Sequence, residues 1–77
     1  MGASPIPAAF GEVLREYRQR AELSQEELAL RAEVDRTYVS LLERGLRQPT
    51  LDVLFRFANV LGVAPATLVA KVAARLN

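Results

Sequence analysis

The strongest constraint on the fold is a connection of about three residues between two short segments with helical patterns. The first segment opens with "SQEEL", a capping box in which Ser24 and Glu27 satisfy each other's backbone amides. The second follows "EVD", with Asp35 at its N-cap, and ends before Gly45, a residue suited to a left-handed helix end. Helices joined by so short a turn cross steeply, which predicts a helix-turn-helix unit over residues 24–45.

Three further segments also have helical periodicity, and no segment alternates like a strand. One runs from about Pro7 to Arg20, one follows Thr50 and ends at Gly62, and one begins at Pro65. The predicted inward residues of the first two segments follow helical spacing: Phe10, Val13, Leu14 and Tyr17 in one, and Leu51, Leu54, Phe57, Ala58 and Leu61 in the other. The third segment carries an apolar stripe at i, i+4 spacing: Leu68, Val69, Val72 and Leu76. The sequence predicts an all-α fold of five helices in a single domain, residues 1–77, with a short N-terminal tail, residues 1–6.

The composition excludes several kinds of function. The 77 residues include neither Cys nor His, which removes disulfides, thiolate metal sites and the usual general base. We therefore expect no catalytic residue, no metal ligand and no cofactor, and we expect that the protein is not an enzyme. There is no membrane-length apolar run and no signal peptide, so the expected location is the cytoplasm, with no membrane contact.

The basic residues are almost all arginine. Formal net charge is only +1, but nine of the ten basic side chains are Arg. The planar guanidinium suits phosphates and the guanine edge, whereas lysine presents a point charge. A coding bias toward GC-rich codons explains the same excess equally well, so composition alone does not decide the partner.

The second helix of the helix-turn-helix unit begins with side chains that a buried helix does not need. Arg36, Thr37, Tyr38 and Ser40 all donate hydrogen bonds, while Val39 suits the core. In a helix-turn-helix unit the N-terminal residues of the second helix enter the DNA major groove. This placement gives the polar end of the helix a function.

The chain resembles a known family at these same residues. "SQEELALRAEVDRTYVSLLERGLRQPTLDVLFRFANVLGV" resembles the lambda-repressor/Cro-type helix-turn-helix family, also called the XRE family, and the resemblance extends over about Ala9 to Leu68. The trio Arg36-Thr37-Tyr38 is also similar to that of restriction–modification controller proteins, small dimeric regulators in the same family. Orphan regulators share this trio.

The resemblance implies a role for each matching residue. It implies DNA base contacts by Arg36, Thr37, Ser40 and Leu41, although the phage repressors often have an amide or a small residue in place of Leu41. It implies contacts to the DNA backbone by Ser24, Gln25, Tyr38, Arg44, Arg47 and Gln48, and a structural salt bridge between Arg18 and Glu43. From its chemistry, Arg36 is the best candidate for a bidentate contact to guanine, and packing beside the turn is the alternative for Tyr38.

We expect a sequence-specific transcriptional regulator that binds double-stranded DNA at a palindromic operator as a homodimer, with no small-molecule ligand. The predicted dimer interface uses apolar residues of the last two helices: Val53, Phe55, Val60, Val69, Val72 and Leu76. The alternative for this stripe is packing on its own subunit. The alternative function is a protein-interaction module, antitoxin-like or adaptor, for which acidic or apolar residues would be expected in place of Arg36, Thr37 and Ser40.

Overall fold

Five helices form the structure, a computed structural model that describes residues 4–77. They are α1 (Ile6–Arg20), α2 (Gln25–Ala32), α3 (Arg36–Glu43), α4 (Leu51–Leu61) and α5 (Pro65–Leu76). No strand occurs within residues 4–77. The predicted all-α fold with five helices is confirmed. Helix α1 begins one residue before the predicted Pro7, and residues 1–3 of the predicted tail lie outside the described residues.

Local capping sets the boundaries of α2 and α4. The Glu27 amide donates to Ser24 Oγ at 3.0 Å and the Ser24 amide donates to Glu27 Oε1 at 2.8 Å, so the capping box is present. At α4, Thr50 Oγ1 accepts from the Val53 amide at 3.2 Å, and Gly62 ends the helix at φ 72°. Helix α3 differs from the prediction, because Asp35 occupies the N-cap with extended backbone but its side chain makes no capping bond.

The core is formed by one apolar face from each helix. The predicted stripe of α1 is buried, and Leu28 of α2, Val39 and Leu42 of α3, Phe57 of α4 and Leu68 of α5 are all fully enclosed. The prediction was wrong for Leu51, which is 71% exposed. Leu51 is the first residue of α4, and the buried face of this helix begins one turn later, at Leu54.

Helix α1 crosses the C-terminal end of α3 at backbone contact. Gly11 is buried there, and a Cβ added to it would overlap the Leu42 carbonyl oxygen and lie 2.7 Å from that of Glu43. Just beyond α3, Gly45 adopts φ 74°, and a Cβ there would lie 3.0 Å from Ala8 Cα. The two helices therefore approach each other more closely than any residue with a side chain would allow at position 11.

Long-range ion pairs and hydrogen bonds connect the remaining elements. Arg75 of α5 contacts Glu12 at 3.1 Å and Glu16 at 3.0 Å, which ties the end of α5 to α1. Arg56 of α4 pairs with Asp52 at 2.8 Å and donates to the Ala32 and Glu33 carbonyls at the end of α2. Within residues 4–77 no single helix has the length and hydropathy to cross a membrane, and α4 and α5 meet that test only as a pair bent by 105°.

Candidate nucleic-acid interface

Helix α3 presents its polar residues on the side opposite the core. At about 100° per residue, Arg36, Thr37 and Ser40 lie within about 100° of one another. Val39 and Leu42 occupy the opposite side and are fully buried. Arg36 and Thr37 are exposed, whereas Ser40 and Leu41 are half-buried. The structure thus brings the four predicted base-contacting residues together on one accessible face.

Shallow recesses flank this face on both sides. One, of about 440 Å³, lies between the starts of α2 and α3 and is lined by Arg18, Ser24, Gln25, Glu26 and Arg36. The other, of about 360 Å³, lies on the far side of α3 and is lined by Asp35, Thr37, Tyr38, Leu41 and Arg47. Each recess combines an arginine with neutral hydrogen-bonding side chains, which are the groups that contact phosphate oxygens in protein–DNA complexes. A carboxylate also lines each recess.

A buried polar network lies behind the first recess. Arg18 Nε donates to Glu43 Oε2 at 2.6 Å and Arg18 Nη2 to Glu43 Oε1 at 3.0 Å, a bidentate pair that links α1 to the last residue of α3. The Glu43 side chain is only 3% exposed. The hydrogen bond to Glu43 raises the pKa of Arg18 above its ordinary value against the opposing effect of desolvation. Glu43 is therefore neutralised inside the protein and adds no exposed negative charge beside α3.

Gln25 belongs to the same network. Its Nε2 donates to Glu43 Oε1 at 3.0 Å, so the amide is fixed by a residue of α3 rather than free at the start of α2. A primary amide has two N–H groups and one carbonyl oxygen, so one donor and the acceptor remain for other partners. The predicted phosphate contact by Gln25 remains chemically available, with the side chain already oriented.

Tyr38 connects α3 to the loop that follows. Its hydroxyl donates to the Gln48 carbonyl oxygen at 3.3 Å, and its half-buried ring packs on the edge of the core. The single hydroxyl proton is used in this bond, so a donor contact to phosphate would require its loss. This geometry favours the packing alternative for Tyr38. Arg44, Arg47 and the side chain of Gln48 are exposed in the same region.

Two residues of this region were missed in the sequence. Glu33 occupies the turn between α2 and α3 at φ 60°, a left-handed conformation that costs non-glycine residues about 1–2 kcal/mol. Arg56 donates to the carbonyl oxygens of Ala32 and Glu33 and so holds the turn against α4. The i, i+4 spacing of Asp52 and Arg56 could have indicated their ion pair, but no local pattern indicates a contact 24 residues away.

The six predicted interface residues divide into two groups. Val53, Val60 and Val72 are half-buried against the subunit's own core. The other three are exposed: Phe55 and Val69 at 53% each, and Leu76 at 42%. Successive residues turn by about 100°, which places Val53 about 160° from Phe55 around α4, so one flat surface does not include both.

An apolar groove adjoins the exposed group. It has a volume of about 300 Å³ and lies among α1, α4 and α5, with Ile6, Phe10, Leu54, Val69, Val72 and Leu76 among its lining residues. An open apolar groove beside exposed large side chains is typical of an association surface.

Helices α2 and α3 are joined by a turn of three residues, and α3 carries a polar, arginine-bearing face. Together they define a DNA-binding regulator of the helix-turn-helix class. The chain belongs to the helix-turn-helix family HTH_3, which matches residues 14–68, well over half of its length. The expected membership of the XRE family is confirmed.

Named relatives include control proteins and transcriptional regulators. The chain is 39% identical over 64 residues to control protein C.BamHI of Bacillus amyloliquefaciens, a match covering 82% of this chain and 79% of that protein. It is 41% identical over 58 residues, 75% of its length, to an HTH-type transcriptional regulator of Mycobacterium tuberculosis, of which it spans only 41%.

Two solved structures have the same fold over most of the chain or nearly all of it. The restriction–modification controller protein C.AhdI of Aeromonas hydrophila shares 40% identity at a TM-score of 0.78, covering 80% of this chain and 94% of that one. The clp gene regulator ClgR of Corynebacterium glutamicum shares 27% identity at a TM-score of 0.88, covering 97% of each chain.

Proposed function

We propose that this protein is a transcriptional regulator that binds double-stranded DNA sequence-specifically, as a homodimer on a palindromic operator, with α3 in the major groove. The observation that carries the proposal is the face of α3. Arg36 and Thr37 are exposed there, and none of the Arg36, Thr37 and Ser40 side chains makes a hydrogen bond to another described residue. Unengaged donors on a rigid helix are available for base edges.

The neighbouring groups fit contacts to the DNA backbone. We assign Ser24 and Gln25 to one phosphate recess and Arg47 to the other, on opposite sides of α3. Arg44 and Gln48 complete this set, which positions the helix without reading sequence. The similarity to two proteins named as controllers supports a regulator of the controller type.

We propose a homodimer because one recognition helix contacts too little of the operator. One short helix reads only a few base pairs, too few to select one operator from a genome. Two copies related by a two-fold axis read half-sites about 34 Å apart on the same face of the duplex. We assign the exposed apolar side chains Phe55, Val69 and Leu76 to this interface, and Val69 and Leu76 also line the groove of α1, α4 and α5. Val53, Val60 and Val72 are half-buried against the subunit's own core and contribute less, and Val53 and Val60 lie on the side of α4 away from Phe55.

A protein-interaction module on the same fold is the second candidate. The exposed apolar groove favours it, because such a groove fits a peptide or a helix as well as a second copy. The polar, unengaged face of α3 has no use in that function, since an adaptor would not need free arginine and hydroxyl donors there.

A selection of random duplexes followed by two variants tests the DNA-binding proposal. Arg36→Ala is expected to cost about 1–3 kcal/mol on the selected operator and to relax the preference at one base pair in each half-site. Arg47→Ala is the matched arginine control, and it is expected to weaken all duplexes about equally and to lower the salt dependence of binding. Uniform weakening by Arg36→Ala, with the base preference intact, contradicts the assignment of α3.

A further inference from the structure

Gly11 lies on α1 and is not one of the proposed DNA-contacting residues, yet it packs against the backbone of the recognition helix. A Cβ added at this position would meet the Leu42 and Glu43 carbonyl oxygens at the C-terminal end of α3. A methyl group at position 11 would meet backbone atoms and not the movable end of a side chain. The separation of α1 and α3 is therefore fixed by the absence of a side chain at this one position.

We propose that Gly11 is a positioning residue for DNA reading: it allows α3 to seat against α1 at the depth and tilt at which Arg36 and Thr37 reach the base edges. This inference rests on the proposed function and adds to it a determinant of specificity outside the DNA-contacting surface. Three contacts along α1 hold the same end of α3, namely Ala8 against Gly45, Gly11 against Leu42 and Glu43, and Arg18 with Glu43. The contact at Gly11 is the tightest of the three, because an added Cβ would meet two backbone carbonyl oxygens there.

The size of the effect follows from the geometry. An added Cβ would lie 2.7 Å from the Glu43 oxygen, whereas ordinary contact begins at 3.4 Å, so the two backbones must separate by about 0.7 Å or more. We take the shorter helix, α3, to be the one that moves. Val39, fully buried, is the natural pivot, three residues from Arg36 and four from Glu43. At 1.5 Å per residue these arms are about 4.5 and 6 Å, so the Arg36 backbone moves by about 0.5 Å, and its guanidinium moves farther.

A displacement of this size disturbs contacts to the bases more than contacts to the phosphates. Bidentate bonds to a base edge tolerate errors of only about 0.5 Å, because donors and acceptors must stay aligned. Phosphate contacts from Arg47 in the loop tolerate the same shift, because a flexible side chain follows the phosphate. Gly11→Ala should therefore lower affinity for the operator much more than affinity for unrelated DNA.

The experiment compares Gly11→Ala with Gly62→Ala as a matched control. Gly62 adopts φ 72°, so alanine is strained there too, but no atom lies within 4 Å of the added Cβ and α3 is not displaced. Affinities for the selected operator and for a scrambled duplex of equal length are measured at one salt concentration. The temperature is chosen so that all chains are folded by circular dichroism.

We expect Gly11→Ala to lower the ratio of operator to scrambled-duplex affinity about tenfold or more, and Gly62→Ala to leave it within about twofold of the wild type. An unchanged ratio for Gly11→Ala overturns the inference. Failure of Gly11→Ala to fold even in the cold with a stabilising osmolyte also overturns the inference, because the glycine is then needed for folding and not for base recognition. A wild-type chain that prefers no duplex refutes the proposed function itself, a result separate from either.

Discussion

Replacing Glu43 by alanine should destabilise the fold far more than it alters DNA recognition. The carboxylate is 3% exposed and accepts three hydrogen bonds, two from Arg18 and one from Gln25. Its removal leaves a guanidinium that is 12% exposed with one remaining bond, to the Leu23 carbonyl oxygen at 2.8 Å.

The magnitude follows from the burial of the pair. Loss of one partner from a buried ion pair costs about 3–5 kcal/mol, and the slight exposure of Arg18 places this case near 3 kcal/mol. At about 0.05–0.15 kcal/mol per residue, a domain of this size has roughly 4–12 kcal/mol in total, so much of its stability would be lost. With a urea dependence near 1 kcal/mol per molar, the unfolding midpoint should fall by about 3 M.

The assay pairs urea unfolding with operator affinity, both for Glu43→Ala and for the double variant Arg18→Met, Glu43→Leu. The double variant removes both charges and fills the space with apolar atoms, so it should recover most of the lost stability. Operator affinity of Glu43→Ala, measured where it is folded, should stay within a few-fold of the wild type. An unchanged midpoint with lost affinity would show that Glu43 serves recognition instead.

Three further outcomes are expected. Val69→Glu with Leu76→Glu should convert a dimer to a monomer in sedimentation at tens of micromolar protein. Leu30→Glu, which places a charge at an even more exposed apolar residue of α2, should not, and a monomeric wild type would contradict the interface. Hydrogen bonds from the Ser24 backbone and side chain lower the pKa of Glu27, so its contribution to stability is present above the ordinary carboxyl pKa and is lost as the pH falls through the lowered one. The stability difference between wild type and Glu27→Gln should therefore shrink below about pH 4, and a constant difference would refute the capping role. Glu33→Gly should raise the free energy of unfolding by about 0.5–1 kcal/mol, because glycine adopts the left-handed turn without strain. The urea midpoint should therefore increase, and a lower midpoint would contradict this.

The sequence predicts the helices well because their signals are local. Ser24, Thr50 and Gly62 mark ends through bonds or dihedral angles that depend on neighbouring residues, and those predictions are confirmed. The prediction for Leu51 was wrong because periodicity gives the direction of a side chain but not whether another helix lies there to cover it. A helix whose first turn extends beyond its partners exposes an apolar residue that has the correct phase.

The contacts that shape the candidate site are mostly nonlocal. Arg56 reaches the Ala32 carbonyl across 24 residues, and Gln25 reaches Glu43 across 18. Nothing in the neighbouring sequence distinguishes these pairs from other combinations of charged and amide groups. For the same reason, the hydrogen bond that engages Tyr38 could not be predicted, since its acceptor is a backbone carbonyl whose position depends on the loop.

The free side chains on the outer face of α3 have a consequence for how the DNA specificity of this protein can evolve. Arg36, Thr37 and Ser40 donate to no described residue, and the helix that carries them is held from behind by Val39, Leu42 and Glu43. Mutations can therefore exchange the first set while the second keeps the helix in place. A lineage can acquire a new operator through a few point mutations, without first having to accumulate compensating stabilising changes elsewhere. Sequence preference should diverge among descendants of this chain sooner than the fold does.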